Sequence, residues 1–197
     1  MEGQKWRSQD ARLASNRRAG GVRLDLTAEQ TSWLEDVGIM ATNDVSKYVW
    51  DKGRDANVEV VFTSGGFLEE GEVIGEGTTM GLVLNKSLFY AKSAGQNTNL
   101  GTISLEGGGD LIADNVQVYS GCVLHLGIIS GKFILVGSTF MCRVDYARQR
   151  VIAPNHSMTH VLNAAFRVVL GKECNQRGNQ CNEEKLRFDF SHISFRV

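Results

Sequence analysis

Between residues 58 and 148 the chain is built of short apolar or alternating runs broken by glycine: "VEVVFT", "GLVLNKSLFY", "GTISLEG", "NVQVYSGCVLHLGIIS" and "FILVGSTFMCRVDY". None of these runs carries a helical period, and the spacing of apolar stretches and turns predicts an antiparallel barrel or sandwich. The breaks "GEVIGEGTT" and "EGGGD" read as hairpin turns. None of the glycine clusters has the order of a phosphate-binding loop between a strand and a helix, so turn geometry explains them.

The pattern differs on both sides of that block. In "LTAEQTSWLEDVG" Thr27 is placed to cap a short helix, Gln30 sits three residues on as in a capping box, and Gly38 stops it. After "VDYARQRVIAP" the period switches to that of a helix. Asn155 follows Pro154 as an N-cap, the residues to Leu170 are good helix formers, and Gly171 can close the helix in the left-handed conformation, which predicts a helix over 155–170. On it His156, His160, Asn163 and Arg167 form one polar stripe, and Val161, Leu162, Ala165, Val168 and Val169 form the face expected to be buried. Further on, "EKLRFDFSH" alternates Leu186, Phe188 and Phe190 with Arg187, Asp189 and Ser191, predicting a half-buried strand over 184–191. The organisation expected is a flexible lead-in over 1–22, a linker with a short helix over 23–57, a barrel over 58–150 and a separate segment over 151–197.

Composition narrows the class of protein. The 197 residues are 42% hydrophobic and 22% charged, which suits a globular protein with a substantial core. No apolar run has the length of a membrane helix, and the N-terminus lacks the hydrophobic stretch of a secretory signal, so a cytoplasmic protein is expected, with organelle import as the alternative. The net charge of −1 gives no overall electrostatic case for DNA or RNA. Lys5, Arg7, Arg12, Arg17, Arg18 and Arg23 form the obvious basic cluster and read as a solvated tail. Cys122, Cys142, Cys174 and Cys181 are too scattered for a disulfide framework and read as reduced thiols.

The candidate chemistry lies in "APNHSMTHVLN". His156 and His160 are one helical turn apart and project in the same direction, as zinc ligands on a helix do. Ser157 stands where the HExxH motif of metalloproteases has Glu, which removes that class. Zinc takes three or four protein ligands, so the pair is either part of a site or a polar stripe facing solvent or a cleft. Cys174 and Cys181 could complete a Cys2His2 set, although six residues between cysteines is wider than the usual knuckle, and a four-turn helix separates the two ends by about 20 Å.

Taken together, "IAPNHSMTHVLNAAFRVVLG", "NQRGNQ" and "EKLRFDFSH" resemble the editing domain of alanyl-tRNA synthetases and its free-standing relatives, marked by NH[TS]xTH on a helix, a QKG-like turn and LRFDFSH. Upstream, "ATNDVSKY", "GLVLNKSLFYAKSAGQ", "NVQVYSGCVLHLG" and "VDYARQR" resemble the segment that joins the catalytic and editing parts of such synthetases. The resemblance runs from about residue 19 to 192. It implies an α+β protein: a translation-factor-like antiparallel β-barrel followed by a truncated α/β editing core. It also implies a site that removes wrongly attached serine or glycine from tRNA(Ala), with zinc as the metal. His156 and His160 match the first ligand pair, Thr159 the hydroxyl that sorts substrates, and Gln176 the glutamine of the QKG-like turn.

The sequence departs from that family in three places. No Cys-x-x-x-His supplies the second ligand pair before Val197; the family's FYAEQGGQ is "FYAKSAGQ", with Lys92, Ser93 and Ala94; and no aminoacylating region precedes the barrel. The expectation is zinc absent or weakly held, impaired editing, and a role through protein contacts, including self-association through Leu186, Phe188 and Phe190 left partly bare. The alternative is an active deacylase, alone or completed by a partner. Contact with tRNA(Ala) is expected to be weak, and neither membrane nor DNA is an expected partner.

Overall fold

In the computed structural model the residues described are 24–69, 72–105, 108–131, 133–134 and 138–192. The basic lead-in over 1–22 lies outside them. The chain divides into two units, one of residues up to 91 with 99–144, the other of residues 92–98 with 145 onward.

The first unit is a barrel. Strands β1 (Arg54–Thr63), β4 (Thr79–Leu84), β7 (Cys122–Ser130), β6 (Asp110–Tyr119), β5 (Gly101–Leu105) and β9 (Thr139–Val144) pair antiparallel in that order, and β9 pairs back onto β1. Closure of the sheet removes the exposed edges that six such strands would otherwise present. Strand β2 (Gly66–Phe67) extends β1 as a hairpin, and β3 (Val73–Ile74) pairs with β8 (Phe133–Ile134) outside the main sheet. Alternation sets the interior: Ala56, Val58 and Val60 of β1 are buried while Asn57 and Glu59 between them are exposed. Gly127 and Gly101 permit the tight strand crossings, since a Cβ at Gly127 would strike the carbonyl oxygen of Ile112 and one at Gly101 that of Arg143.

Of the stretch 23–57 read from sequence as a linker, the described residues from Leu24 on belong to the barrel unit, and Arg54–Asn57 open its first strand. Helix α1 (Ala28–Asp36) starts with the reciprocal pair of a capping box: the Gln30 N–H donates to Thr27 Oγ1 at 3.2 Å and the Thr27 N–H to Gln30 Oε1 at 2.9 Å. Leu24, Leu26 and Leu34 join Val60, Phe62, Val83, Cys122, Leu124 and Leu126 in one apolar cluster. Buried Thr42 ties two strands together, donating to the Leu84 carbonyl at 2.7 Å and accepting from the Val123 N–H at 3.0 Å.

The second unit is α2 (Tyr146–Val169) with a two-stranded sheet, β10 (Asn175–Cys181) and β11 (Leu186–Ser191). The helix starts nine residues before the predicted 155. Asp145 caps it, its Oδ1 accepting from the Arg148 N–H at 3.0 Å, and Pro154 lies inside it. Proline removes one helical hydrogen bond and crowds the preceding turn. The helix-forming run from Tyr146 to Ala153, anchored by fully buried Ile152, carries it through. Asn155 is therefore not a cap; its Nδ2 donates to the Asn182 carbonyl at 2.9 Å.

The buried face of α2 also differs from expectation. Ile152 and Thr159 are buried and His156, Leu162, Asn163 and Phe166 half-buried, while Val161, Val168 and Val169 are 54%, 84% and 78% exposed. Phe166 explains the choice, because its ring packs on Phe188 and Phe190 of β11 at centroid distances of 5.5 and 4.7 Å. Leu186, Phe188 and Phe190 are half-buried, and the more exposed apolar residues are Val161, Val168 and Val169 of the helix. The architecture is thus a six-stranded antiparallel barrel with a separate helix and small sheet, an α+β fold. No helix among the described residues is long and apolar enough to cross a membrane.

Candidate functional site

The excursion 92–98 leaves the barrel between β4 and β5 through a neck closed by two bonds, Asn99 N–H to the Tyr90 carbonyl at 2.9 Å and Tyr90 N–H to Asn99 Oδ1 at 2.6 Å. Within the second unit it folds into a tight turn. The Gln96 N–H donates to the Ser93 carbonyl at 2.9 Å, and the two central residues have positive φ, Ala94 at 48° and Gly95 at 79°, as a type I′ turn requires. Only glycine takes such angles without cost, so Ala94 is strained there. A Cβ at Gly95 would lie 2.5 Å from the Asn179 carbonyl oxygen, which makes that glycine obligatory. Strand β10 holds the turn: Cys181 N–H donates to the Gly95 carbonyl at 2.8 Å, Asn97 N–H to the Cys181 carbonyl at 3.0 Å, and Asn179 Nδ2 to the Ala94 carbonyl at 2.8 Å.

The turn delivers Gln96 to the helix. Gln96 is 3% exposed, and its Oε1 lies 2.9 Å from Nδ1 of His156. Because an amide oxygen only accepts, the imidazole donates from Nδ1, and the lone pair is on Nε2. The amide Nε2 of Gln96 is buried and has no hydrogen-bond partner among the described residues. Partial burial, and then the neighbouring His160 imidazole, hold His156 below the usual histidine pKa, which keeps it neutral and able to ligate.

The rings of His156 and His160 have centroids 5.5 Å apart at an interplanar angle of 41°. Two imidazoles on one tetrahedral zinc, with Zn–N of about 2.0–2.1 Å, place their centroids about 5 Å apart. The observed spacing of the rings is close to that value. Among the described residues no third His, Cys, Asp or Glu joins them in a metal-binding group.

Cys174 and Cys181, weighed as substitute ligands, do not come to the histidines as a set. Both are buried; Cys181 Sγ lies 3.4 Å from Thr159 Oγ1 and accepts from Asn179 Nδ2 at 3.8 Å, and Cys174 sits in the turn after Gly171, its N–H bonded to the Gly171 carbonyl at 3.1 Å. Thr159 is 2% exposed, and its hydroxyl donates to the Asn155 carbonyl one turn back at 3.1 Å. The hydroxyl expected to sort substrates is thus engaged inside the unit. Gln176 is in strand β10, beside the irregular register between Gln176 and Gly178, and is exposed; it is not in a turn. His192 accepts no part in the pair, since its Nε2 lies 2.9 Å from the Leu170 carbonyl at the far end of α2.

Arg148 joins the three pieces of the unit. Its guanidinium donates to both carboxylate oxygens of Glu183, each at 3.2 Å, and to the Thr98 carbonyl at 2.7 Å. Sequence reasoning missed both Arg148 and Gln96, because neither belongs to a local motif with its partner.

A profile of the family described as tRNA synthetases class II (A) matches residues 1–148. The chain is 39% identical to an alanine–tRNA ligase of Schizosaccharomyces pombe over 79% of its length and 16% of the ligase. It is 33% identical to a mitochondrial alanine–tRNA ligase of Saccharomyces cerevisiae over 98% of its length and 19% of the ligase. With an alanine–tRNA ligase of Candida albicans the identity is 36% over 98% of the chain and 20% of the ligase. The chain spans between 16% and 20% of the length of these relatives.

Proposed function

This chain belongs to the class II (A) tRNA synthetases, on the alanyl-tRNA synthetase branch, and from that premise we propose that its second unit contributes to an editing site for tRNA(Ala) mischarged with serine or glycine. The observation that carries the reading is the spacing of the His156 and His160 rings, which suits one shared zinc. A bound zinc would supply Lewis acidity toward the ester carbonyl of the aminoacyl-tRNA. The residues of the chain have the other tasks. His156 and His160 present neutral imidazoles, Gln96 orients the first of them, and the 93–96 turn forms a backbone wall next to it. In deacylation a water oxygen bonds to the ester carbonyl carbon, the bond to the ribose oxygen breaks, and the water's proton passes to that oxygen, giving free amino acid and tRNA.

Two imidazoles alone hold zinc weakly. The chain by itself is therefore a poor deacylase that acts with a protein partner. The helix face bearing Val161, Val168 and Val169 supports that part of the reading, since so large an apolar exposure suits association with another protein or a second copy. The alternative, an efficient deacylase in isolation, needs further ligands. Cytoplasm is the proposed compartment, with import into an organelle as the alternative.

Elemental analysis of the purified chain with excess zinc, followed by deacylation of seryl-tRNA(Ala), tests the proposal. The expected result is substoichiometric zinc that disappears in His156→Ala and His160→Ala, with slow serine release. Tight stoichiometric zinc with rapid release would establish the efficient enzyme instead, and zinc unaffected by either substitution would remove the histidine site.

A further inference from the structure

The least economical feature of the second unit is Gln96. It is almost wholly buried, and one end of its amide has no hydrogen-bond partner. A buried N–H group of this kind destabilises the fold, and a methionine of similar shape would avoid that cost. What the amide provides that an apolar side chain cannot is an acceptor for His156 Nδ1 at 2.9 Å. That contact is not incidental to the backbone, because bonds from Asn179 and Cys181 of β10 to Ala94, Gly95 and Asn97 fix the turn with Gln96 facing the helix.

We propose that Gln96 is a positioning residue for the histidine pair: by accepting from Nδ1–H it fixes the His156 tautomer and ring rotation so that the Nε2 lone pair is directed toward the ion shared with His160. The inference rests on the reading of that pair as a metal site. An imidazole in water prefers the opposite tautomer, with the proton on Nε2, in which that nitrogen cannot ligate. Metal-bound histidines are held against this preference by an acceptor on the second nitrogen, and loss of such an acceptor lowers metal affinity by about 10–100-fold. Here an amide carbonyl takes that place in a unit whose acceptor and histidine are 60 residues apart in sequence. The turn that presents it, "KSAGQ", thereby becomes part of the site even though Lys92 and Ser93 have no ligating role.

The experiment is 15N NMR of the imidazole nitrogens in the full chain without metal, at a pH where the ring is neutral, on wild type, Gln96→Met and Gln96→Glu. In wild type His156 is expected to show a protonated Nδ1 and an unprotonated Nε2. Gln96→Met should revert it to the Nε2–H form while leaving His160 unchanged, and Gln96→Glu, which keeps the acceptor, should retain the Nδ1–H form and report on folding if the methionine variant is unstable. Zinc titration of the same proteins should show affinity falling 10–100-fold in Gln96→Met and rescued in Gln96→Glu. A wild-type His156 protonated on Nε2, as it would be if the Gln96 amide were turned to donate its NH2 group, overturns the proposal, as does a tautomer indifferent to Gln96→Met. The expected tautomer pattern with no zinc binding in any protein would leave the role of Gln96 standing and defeat the metal reading alone.

Discussion

The two units each hold a histidine in a hydrogen bond of the fold, and they treat it differently. In the barrel, His125 of β7 is completely buried, its Nε2 2.7 Å from Ser87 Oγ and its Nδ1 3.2 Å from the Leu82 carbonyl, with the Phe89 ring edge-on at 5.2 Å. Ser87 also accepts from the Phe89 N–H at 3.0 Å, so every polar atom of the cluster is paired. In the second unit His156 is half-buried, and its amide partner keeps an unpartnered group. The same side chain therefore serves as a packed, satisfied core residue in one place and as an oriented, partly open one in the other. What separates them is the depth of burial and what faces the ring: a hydroxyl and a backbone carbonyl at His125, a side-chain amide and a second imidazole at His156.

That contrast can be broken most forcefully at His125. His125→Ala would leave the Ser87 hydroxyl with the Phe89 N–H alone and a cavity beside Phe89, and should cost about 3–5 kcal/mol in denaturant unfolding of the barrel; a loss below about 1 kcal/mol would mean that the barrel histidine is as dispensable to packing as a surface residue. A smaller effect comes from pH. Burial, only partly opposed by the backbone groups of Leu82 and Val123, lowers the His125 pKa from 6.5 to about 4. Between those values the unfolded chain binds more protons than the folded one, so stability falls as pH drops, by about 2 kcal/mol from pH 8 to pH 5. Denaturation midpoints across that range should fall in wild type and much less in His125→Gln; equal slopes would show that other groups carry the dependence. The smallest effect has the opposite sign and lies in the second unit. Ala94→Gly relieves a left-handed alanine at φ 48° and should stabilise that unit by about 1 kcal/mol, read from hydrogen exchange of the β10 amides.

Elements whose cause is local could be read from sequence. The Thr27–Gln30 box and the stop at Gly171, which adopts φ 97°, depend on residues a turn apart. The strands of the barrel follow from alternation, although the return of β9 to β1 does not, since the cyclic order joins residues far apart in the chain. Strand β10 was invisible because "NQRGNQC" has no apolar alternation; its partner β11 and the 92–98 segment define it. The early start of α2 was hidden by Pro154, whose usual meaning is a helix boundary. Hydrophobicity predicts burial of Val161, Leu162, Ala165, Val168 and Val169, whereas the Phe166 contact with β11 turns the helix so that of these only Leu162 is half-buried. At the candidate site the histidine spacing was legible, but Gln96 could be found only once the fold had joined it to His156.

The excursion of 92–98 also sets a timetable. Gln96 and the turn around it emerge during synthesis 60 residues ahead of His156, which at about 5–20 residues per second is roughly 3–12 s. Throughout that interval the turn has neither β10 to hold it nor a histidine to face, while the first barrel strands are already available to pair. Ala94 thus has no reason to take its left-handed angle until Asn175–Cys181 has been made, so the second unit assembles after the barrel strands that precede it in the chain.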